Sequence, residues 1–581
     1  MNITIKDFLD HIKVVLRLFG KSKKKIPLLV FGFLFLGVLD ILGIGLIGPV
    51  LAIFLDFQSF QERFTFLQNF ELSQVILAAS SCLVMIFILR IIAGVLINSY
   101  ALKVAFDRQI LLRSRLISSI TEQEYLSRLK KTSGQFTTLI LGYCSDYTST
   151  VISLLRTAAE LISISFIVIL LIITDFNLFL LSAGMSGTIL AISVFFFSTK
   201  FSKYGEIKNE GLTAFTDAVT DTLNGLKEIK ILKISDFFRK RVIEGARKAA
   251  FAETRLYLFS IIPRYFIEFM LVLIVSISLV YAVISENDIS SILSSLSIFL
   301  VAAIRLLPSL NAVFINLNIV GIEKDSIMKL NDELSIINEN TDFESKNSLE
   351  SDKQNYFNDF KEINVKNVEF SYGDKKIFQS LNLKIKRGEF IGLLGKSGEG
   401  KTTLVDILLG IHIPNSGTIE VDGIDIMFDI QQWRENIAYL PQEPFLINST
   451  IEENIAIGEI VNEKNKRQIL QSIDKAGLIH VFENINKKSD RRIGERGLTL
   501  SGGQRQRVSL ARSFYKNKSI FFFDESTSAL DKDSAERISK EIANIASREG
   551  STVIMISHNE ATLEHCSRKL YLENGKILEL K

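Results

Sequence analysis

The sequence predicts a multi-domain membrane protein, with an all-α domain of six membrane-crossing helices that carry long polar extensions and, after it, an α/β domain. Three observations carry that reading. Hydrophobic residues make up 48% of the 581 and charged residues 23%, a pairing that requires the two kinds to be segregated along the chain. Six apolar runs in the first 320 residues are each long enough for a bilayer, which needs about 20 residues. The stretch GKSGEGKTT, Gly395 to Thr403, lies between one short apolar run and another that begins at Leu404. Strand, glycine-rich turn and helix in that order make a phosphate cradle.

The elements follow in order. Residues 1–19 alternate apolar and polar with helical spacing and read as an amphipathic helix along a membrane surface rather than a cleaved signal. The apolar runs are 26–55, 72–100, 151–173, 178–198, 256–284 and 291–320. Lys21, Lys23, Lys24 and Lys25 precede the first, and the connections 101–150 and 199–255 are rich in Lys and Arg. The loops 56–71, 174–177 and 285–290 hold a single basic residue, Arg63. The positive-inside rule therefore places the N-terminus, both long connections and everything after the sixth crossing in the cytoplasm. Both connections are helix-periodic and too polar for lipid, so the membrane helices are expected to run on and turn near 124–134 and 222–230. Phe57, Phe60, Phe64 and Leu67 share a helical face, which suggests a small amphipathic helix on the outer surface. A transmembrane domain of 1–334, a polar linker of 335–360 and a second domain of 361–581 result. Segments 363–372 and 377–385 alternate like antiparallel strands. From Phe390 onward, strands and helices alternate.

Net charge is +3, too small to argue for nucleic acid. The three cysteines, Cys82, Cys144 and Cys566, are scattered and indicate neither a disulfide framework nor a metal cluster. The chemistry lies in the second domain. Gly395, Gly398 and Gly400 let backbone N–H groups turn inward into an anion nest at a helix start. Lys401 then reaches the β- and γ-phosphates of a nucleotide, and the Thr402 hydroxyl faces Mg²⁺. Lys396, Ser397, Glu399 and Thr403 complete the loop.

LSGGQ, Leu500 to Gln504, resembles the signature of ATP-binding cassette (ABC) proteins, and other motifs match in family order and spacing. The resemblance implies that Tyr372 stacks under adenine, that Gln442 is the Q-loop residue and a Mg²⁺ contact, and that Asp524 holds Mg²⁺. It implies that Glu525 is the general base for the attacking water, that Asp531 is the D-loop residue and that His558 is the switch histidine on the γ-phosphate. ATP and Mg²⁺ are the implied cofactors. In the family the residues matching Ser501, Gly502, Gly503 and Gln504 close over ATP held by a second cassette. One cassette and one set of six crossings therefore imply a homodimeric half-transporter. The run IGERGLTLSGG, 493–503, is similar to the exporter branch, which gives an outward direction.

Charges inside the crossings bear on the substrate, because a charge in hydrocarbon is costly. Asp40, Arg90, Arg264, Glu268 and Arg305 qualify, with Arg156 and Glu160 near the end of their segment. Arg156/Glu160 and Arg264/Glu268 are spaced for helix-surface ion pairs, which is the reading favoured for Arg156; Arg90 and Arg305 have no such partner. Arg90, Arg264 and Arg305 lie roughly 20–30 Å from the outer ends of their helices, so they are expected to form a belt for phosphate groups. The stretches IIPRYFIEF (261–269) and SIFLVAAIRLLPS (297–309) resemble the PglK-type flippases of lipid-linked oligosaccharides. That likeness implies a bacterial inner-membrane protein that moves a polyprenyl-pyrophosphate oligosaccharide outward. An exporter of peptides, lipids or hydrophobic drugs is the alternative; a regulatory ATPase without transport fits poorly with six crossings.

Overall fold

The computed structural model describes residues 5–55, 71–122, 131–174, 176–284, 306, 308–338, 356–487, 489–525, 532–557 and 563–580. They fall into two compact units, one within 1–346 and one within 347–581.

The first unit is helical. Its main helices are Ile26–Leu55, Leu72–Glu122, Cys144–Thr174, Phe176–Asn224, Ser235–Ile284, Pro308–Ile322 and Lys324–Asn338. Among the described residues, the helices over Leu9–Gly43, Leu72–Thr121 and Ser133–Ile169 are long and apolar enough to cross a membrane. The predicted segments 178–198 and 256–284 lie inside helices of 49 and 50 residues. Of 291–320, the described part is Leu306 and the helix that runs from Pro308 on to Ile322. A 50-residue helix is about 75 Å long, more than twice the ~30 Å of a hydrocarbon core. Helices of this length must therefore run far past a bilayer. The second turn comes where expected, with a seven-residue helix, Leu226–Leu232, between the two long ones. The suggested outer helix around Phe57 and Phe64 lies outside the described residues.

The N-terminal helix, Ile5–Phe19, departs from its expectation. Val15, Leu18 and Phe19 are buried in a cluster with Val104, Leu112, Leu116, Tyr147 and Ile327. Arg108 Nε donates to the Leu18 carbonyl at 2.6 Å and the Tyr147 hydroxyl to that of Val15 at 3.3 Å. An amphipathic stripe calls for an apolar partner without specifying lipid or protein; here protein covers it. Nearby, Lys208 reaches Glu323 at 3.3 Å, Ser326 donates to Asp146 at 2.6 Å and Asn209 donates to Asp325 at 3.0 Å. These bonds tie three helices together through a half-hidden cluster of charges.

The second unit holds two sheets. Strands β1 (Glu362–Tyr372), β2 (Lys375–Lys386), β4 (Ser416–Val421) and β5 (Ile424–Asp425) form an antiparallel sheet in the order β2-β1-β4-β5. The other sheet adds β3 (Phe390–Gly395), β6 (Ile437–Leu440), β7 (Ile520–Asp524), β8 (Thr552–Ile556), β9 (Arg568–Glu573) and β10 (Lys576–Leu580), in the order β10-β9-β3-β8-β7-β6. All its pairings except β10 with β9 are parallel. Every residue of β7 and β8 is buried, as a sheet covered on both faces requires. Alternation along the strand assigns the two faces: Phe521 and Phe523 join one core, Ile520 and Phe522 the other. Each buried phenylalanine contributes roughly 1.5–3 kcal/mol.

The polar stretch read as a linker is ordered at both described ends. The Lys324–Asn338 helix runs into it from one side. On the other side Phe357 and Phe360 are fully buried, and the Phe357 ring meets Trp433 edge-on at 5.8 Å. Two aromatic residues in a polar run were the overlooked signal.

Candidate functional site: a phosphate loop at a sheet edge

Parallel pairing brings the chemistry to one edge. Leu393 of β3 and Asp524 of β7 are both level with Ile556 of β8, so the loop after β3 and the carboxylates after β7 emerge side by side. Two glycines set the loop's path. Gly395 has φ +155, and a Cβ on it would come within 2.7 Å of the Leu572 carbonyl oxygen. Gly400, with φ +100, caps the Lys401–Leu408 helix, and its Cβ would meet Ile377 at 2.7 Å. Neither position accepts an L side chain without displacing backbone or core.

Lys401 is buried and turns back into its own loop, donating from Nζ to the carbonyls of Gly395 at 2.8 Å and Lys396 at 2.9 Å. Burial holds its pKa below the usual lysine value, and the charges of Glu525, Asp524 and Glu399 oppose that shift. An ammonium group at the first position of a helix adds its charge to the N–H groups there, a combination that favours an anion.

Asp524 is buried and Glu525 follows it with φ +47, a backbone conformation uncommon outside glycine. Strain of this kind collects at functional sites. Here the Glu525 N–H is tied to the Ile556 carbonyl at 3.1 Å, and Gln442 Nε2 donates to Glu525 Oε2 at 2.7 Å. That bond leaves the Gln442 carbonyl oxygen available. With the Thr402 hydroxyl and the Asp524 carboxylate it makes a donor set of hard oxygens only, which fits Mg²⁺. Tyr372, at the end of β1, keeps an exposed ring.

Ser501 caps the Gly502–Lys516 helix. Its hydroxyl accepts from the Gln504 N–H at 3.3 Å, while the Gln504 side chain accepts from the Ser501 N–H at 2.9 Å. The reciprocal cap explains why serine and glutamine stand three apart there, and the cap is exposed. Asp531 and His558 lie outside the described residues.

Residues 378–528 match the family model for the ABC transporter. Along 95% of both chains, the structure aligns with that of a bacterial Atm1-family ABC exporter with ATP bound, at a TM-score of 0.74 and 20% identity. This chain has the fold of an ABC exporter. Its second unit is an ABC ATPase domain, which uses ATP with Mg²⁺. ABC transporter B family member 1 of Dictyostelium discoideum is 30% identical over 71% of this chain. The ATP-dependent lipid A-core flippase of Ralstonia nicotianae is 38% identical over 38%. The chain spans 44% of the length of the first and 37% of the second.

The membrane unit of this exporter fold holds a cavity of about 730 Å³, walled by the helices Ile26–Leu55, Leu72–Glu122, Cys144–Thr174 and Pro308–Ile322. Its polar lining includes Asp40, Arg90, Arg156, Glu160, Ser163 and Asn316. Arg90, which has no partner one turn away, pairs through Nε with Asp40 of another helix. Asp40 also accepts from the Ser163 hydroxyl at 3.0 Å. Arg156 and Glu160 form no ion pair with each other among the described residues, contrary to expectation. Both rim a space roomy enough for water to solvate them. Arg264 does pair with Glu268, at 2.8 Å, on an exposed helix face, and it is not part of the cavity wall. Arg305 lies outside the described residues. The structure thus places Arg90 with Arg156 rather than with Arg264, and adds Asp40 and Ser163, which sequence spacing does not link.

Proposed function

We propose that the chain is an ATP-driven flippase that moves an amphipathic anionic substrate, a polyprenyl-pyrophosphate oligosaccharide or a close chemical relative, from the inner to the outer leaflet. It works as a homodimer in the inner membrane of a bacterium, with its N-terminus and ATPase domain cytoplasmic. The observation that supports this reading most is the charged cavity among the membrane helices. Arg90 and Arg156 offer planar donors that match phosphate oxygens two at a time, beside apolar walls of Phe33, Leu36 and Ile91 for an acyl or prenyl chain. A drug or simple lipid exporter does not need two guanidinium groups there.

In this reading Lys401 and the loop amides bind the phosphates, Gln442 orients Glu525, and Glu525 takes a proton from the attacking water. Mg²⁺, held by Thr402, Gln442 and Asp524, would neutralise charge on the β- and γ-phosphates. Ser501 of one protomer closes over the nucleotide on the other, and His558 and Asp531 complete the site.

The test is flipping of a polyprenyl-pyrophosphate oligosaccharide in proteoliposomes. Arg90→Ala and Arg156→Ala should each cut transport at least tenfold while basal ATP hydrolysis stays within about twofold. Normal flipping by both variants would sink the phosphate reading and favour a drug or peptide exporter. For the dimer, Ser501→Arg in mixed dimers should silence the site whose Lys401 belongs to the other protomer. Silencing of the mutant chain's own site would contradict that assembly.

A further inference from the structure

The residue assigned to the nucleotide base does not stand alone. The Tyr372 hydroxyl and His412 Nε2 are 2.9 Å apart, a hydrogen bond between β1 and the segment after the Lys401–Leu408 helix. His412 is 2% exposed. Its ring stacks on Phe370 at 5.2 Å and 21° and meets Tyr372 edge-on at 5.5 Å. Phe370 in turn meets the Tyr372 ring edge-on at 5.0 Å. Three rings therefore brace one another, and only the Tyr372 ring reaches solvent.

The same His412 nitrogen is 3.7 Å from Asp406 Oδ2. Asp406 lies on the helix that begins with Lys401, and its carbonyl oxygen accepts from the N–H groups of Ile411 and His412 at 2.8 and 3.2 Å. His412 is thus fastened to the helix that presents the phosphate loop and bonded to the aromatic ring at the other end of the nucleotide. A tyrosine left to rotate would lose side-chain freedom on stacking against a base. One already held loses less on binding.

We propose that His412 is a positioning residue for adenine recognition, holding the Tyr372 ring at a set distance from the phosphate loop. The proposal rests on the reading of Tyr372 as the base-stacking residue, and the experiment separates the two. The full-length protein, reconstituted in lipid nanodiscs, is titrated with ATP and with inorganic tripolyphosphate, each with Mg²⁺. Tyr372→Ala tests the stacking itself, which should weaken ATP binding about tenfold and leave tripolyphosphate unchanged.

His412→Phe keeps an aromatic ring against Phe370 and removes the hydrogen bond. It should weaken ATP about fivefold, leave tripolyphosphate and the melting temperature unchanged, and be partly rescued by His412→Gln. Tyr372→Phe should show the same loss, and the Tyr372→Phe/His412→Phe double variant no more than either single one. If Tyr372→Ala binds ATP normally, the stacking reading fails and takes the proposal with it. If Tyr372→Ala is impaired but His412→Phe binds ATP normally, or loses ATP and tripolyphosphate equally, the proposal alone is overturned.

Discussion

The phosphate loop and the membrane cavity solve the problem of holding charge in opposite ways. In the ATPase unit, Lys401 turns to backbone carbonyls of its own loop, five and six residues away in sequence. In the membrane unit, Arg90 finds Asp40 fifty residues away, and Asp40 finds Ser163 at a separation of 123. The first arrangement is local and the turn that makes it can be read as a motif. The second exists only once helices are packed. Local charge sites should therefore fail in function when altered, with the fold intact; assembled ones should cost stability too.

The largest expected effect sharpens the local side. Glu525→Gln keeps the shape and the Gln442 contact but cannot accept a proton, so ATP hydrolysis should fall about 10²–10⁴-fold. Nucleotide binding by equilibrium titration should stay near wild type. Turnover above a tenth of normal would mean that another group activates the water. Next comes Lys401→Ala, which removes the buried cation proposed to bind the phosphates and should weaken ATP binding about 10- to 100-fold. The melting temperature without nucleotide should hardly change; a large drop would show that the lysine braces the loop structurally.

The assembled side is broken by Asp40→Ala. It leaves Arg90 half-buried without its carboxylate and should cost about 1–3 kcal/mol, below the cost for a fully buried pair because the cavity admits water. Glu268→Ala, at the exposed Arg264 pair, should leave the melting temperature unchanged. Equal melting curves for both variants would remove the distinction between the two pairs.

A further effect concerns pH. Burial and then the charge of Asp146 push the Glu323 carboxyl up to about 8, although Lys208 opposes the shift. The folded protein holds this proton more tightly than an unfolded chain would, so this stabilising contribution is complete below about pH 4.5 and is lost as pH rises through about 8. The melting temperature should decline by a few degrees between pH 5 and pH 9, and Glu323→Gln should flatten that decline. A variant as pH-sensitive as wild type would transfer the effect to another group.

How legible each region was follows from the range of its interactions. The positions of β1, β2, β3, β7 and β8 along the chain could be read from alternation and from short fully apolar runs, because a strand's burial repeats over two residues. The phosphate loop was legible for the same reason, since its glycines answer to local backbone geometry. His412 beside Tyr372 was not, because no spacing rule links a strand end to a residue forty positions on. The N-terminal helix showed its apolar stripe but not what covers it. Charges one turn apart were a poor guide to pairing: Arg264 bonds Glu268, whereas Arg156 and Glu160 rim a cavity unpaired with each other.

Sequence alone determined the division into a helical unit rich in long apolar runs and an α/β unit with a phosphate loop, along with the polarity of each strand face. These follow from periodicity and from dihedral angles that only glycine accepts, both settled within a few residues. Tertiary structure decided which polar groups meet: Asp40 with Arg90 and Ser163, Lys208 with Glu323, Tyr372 with His412. A side-chain bond a few ångströms long depends on where whole helices and strands come to rest, and that position is set by the packing of many apolar residues at once.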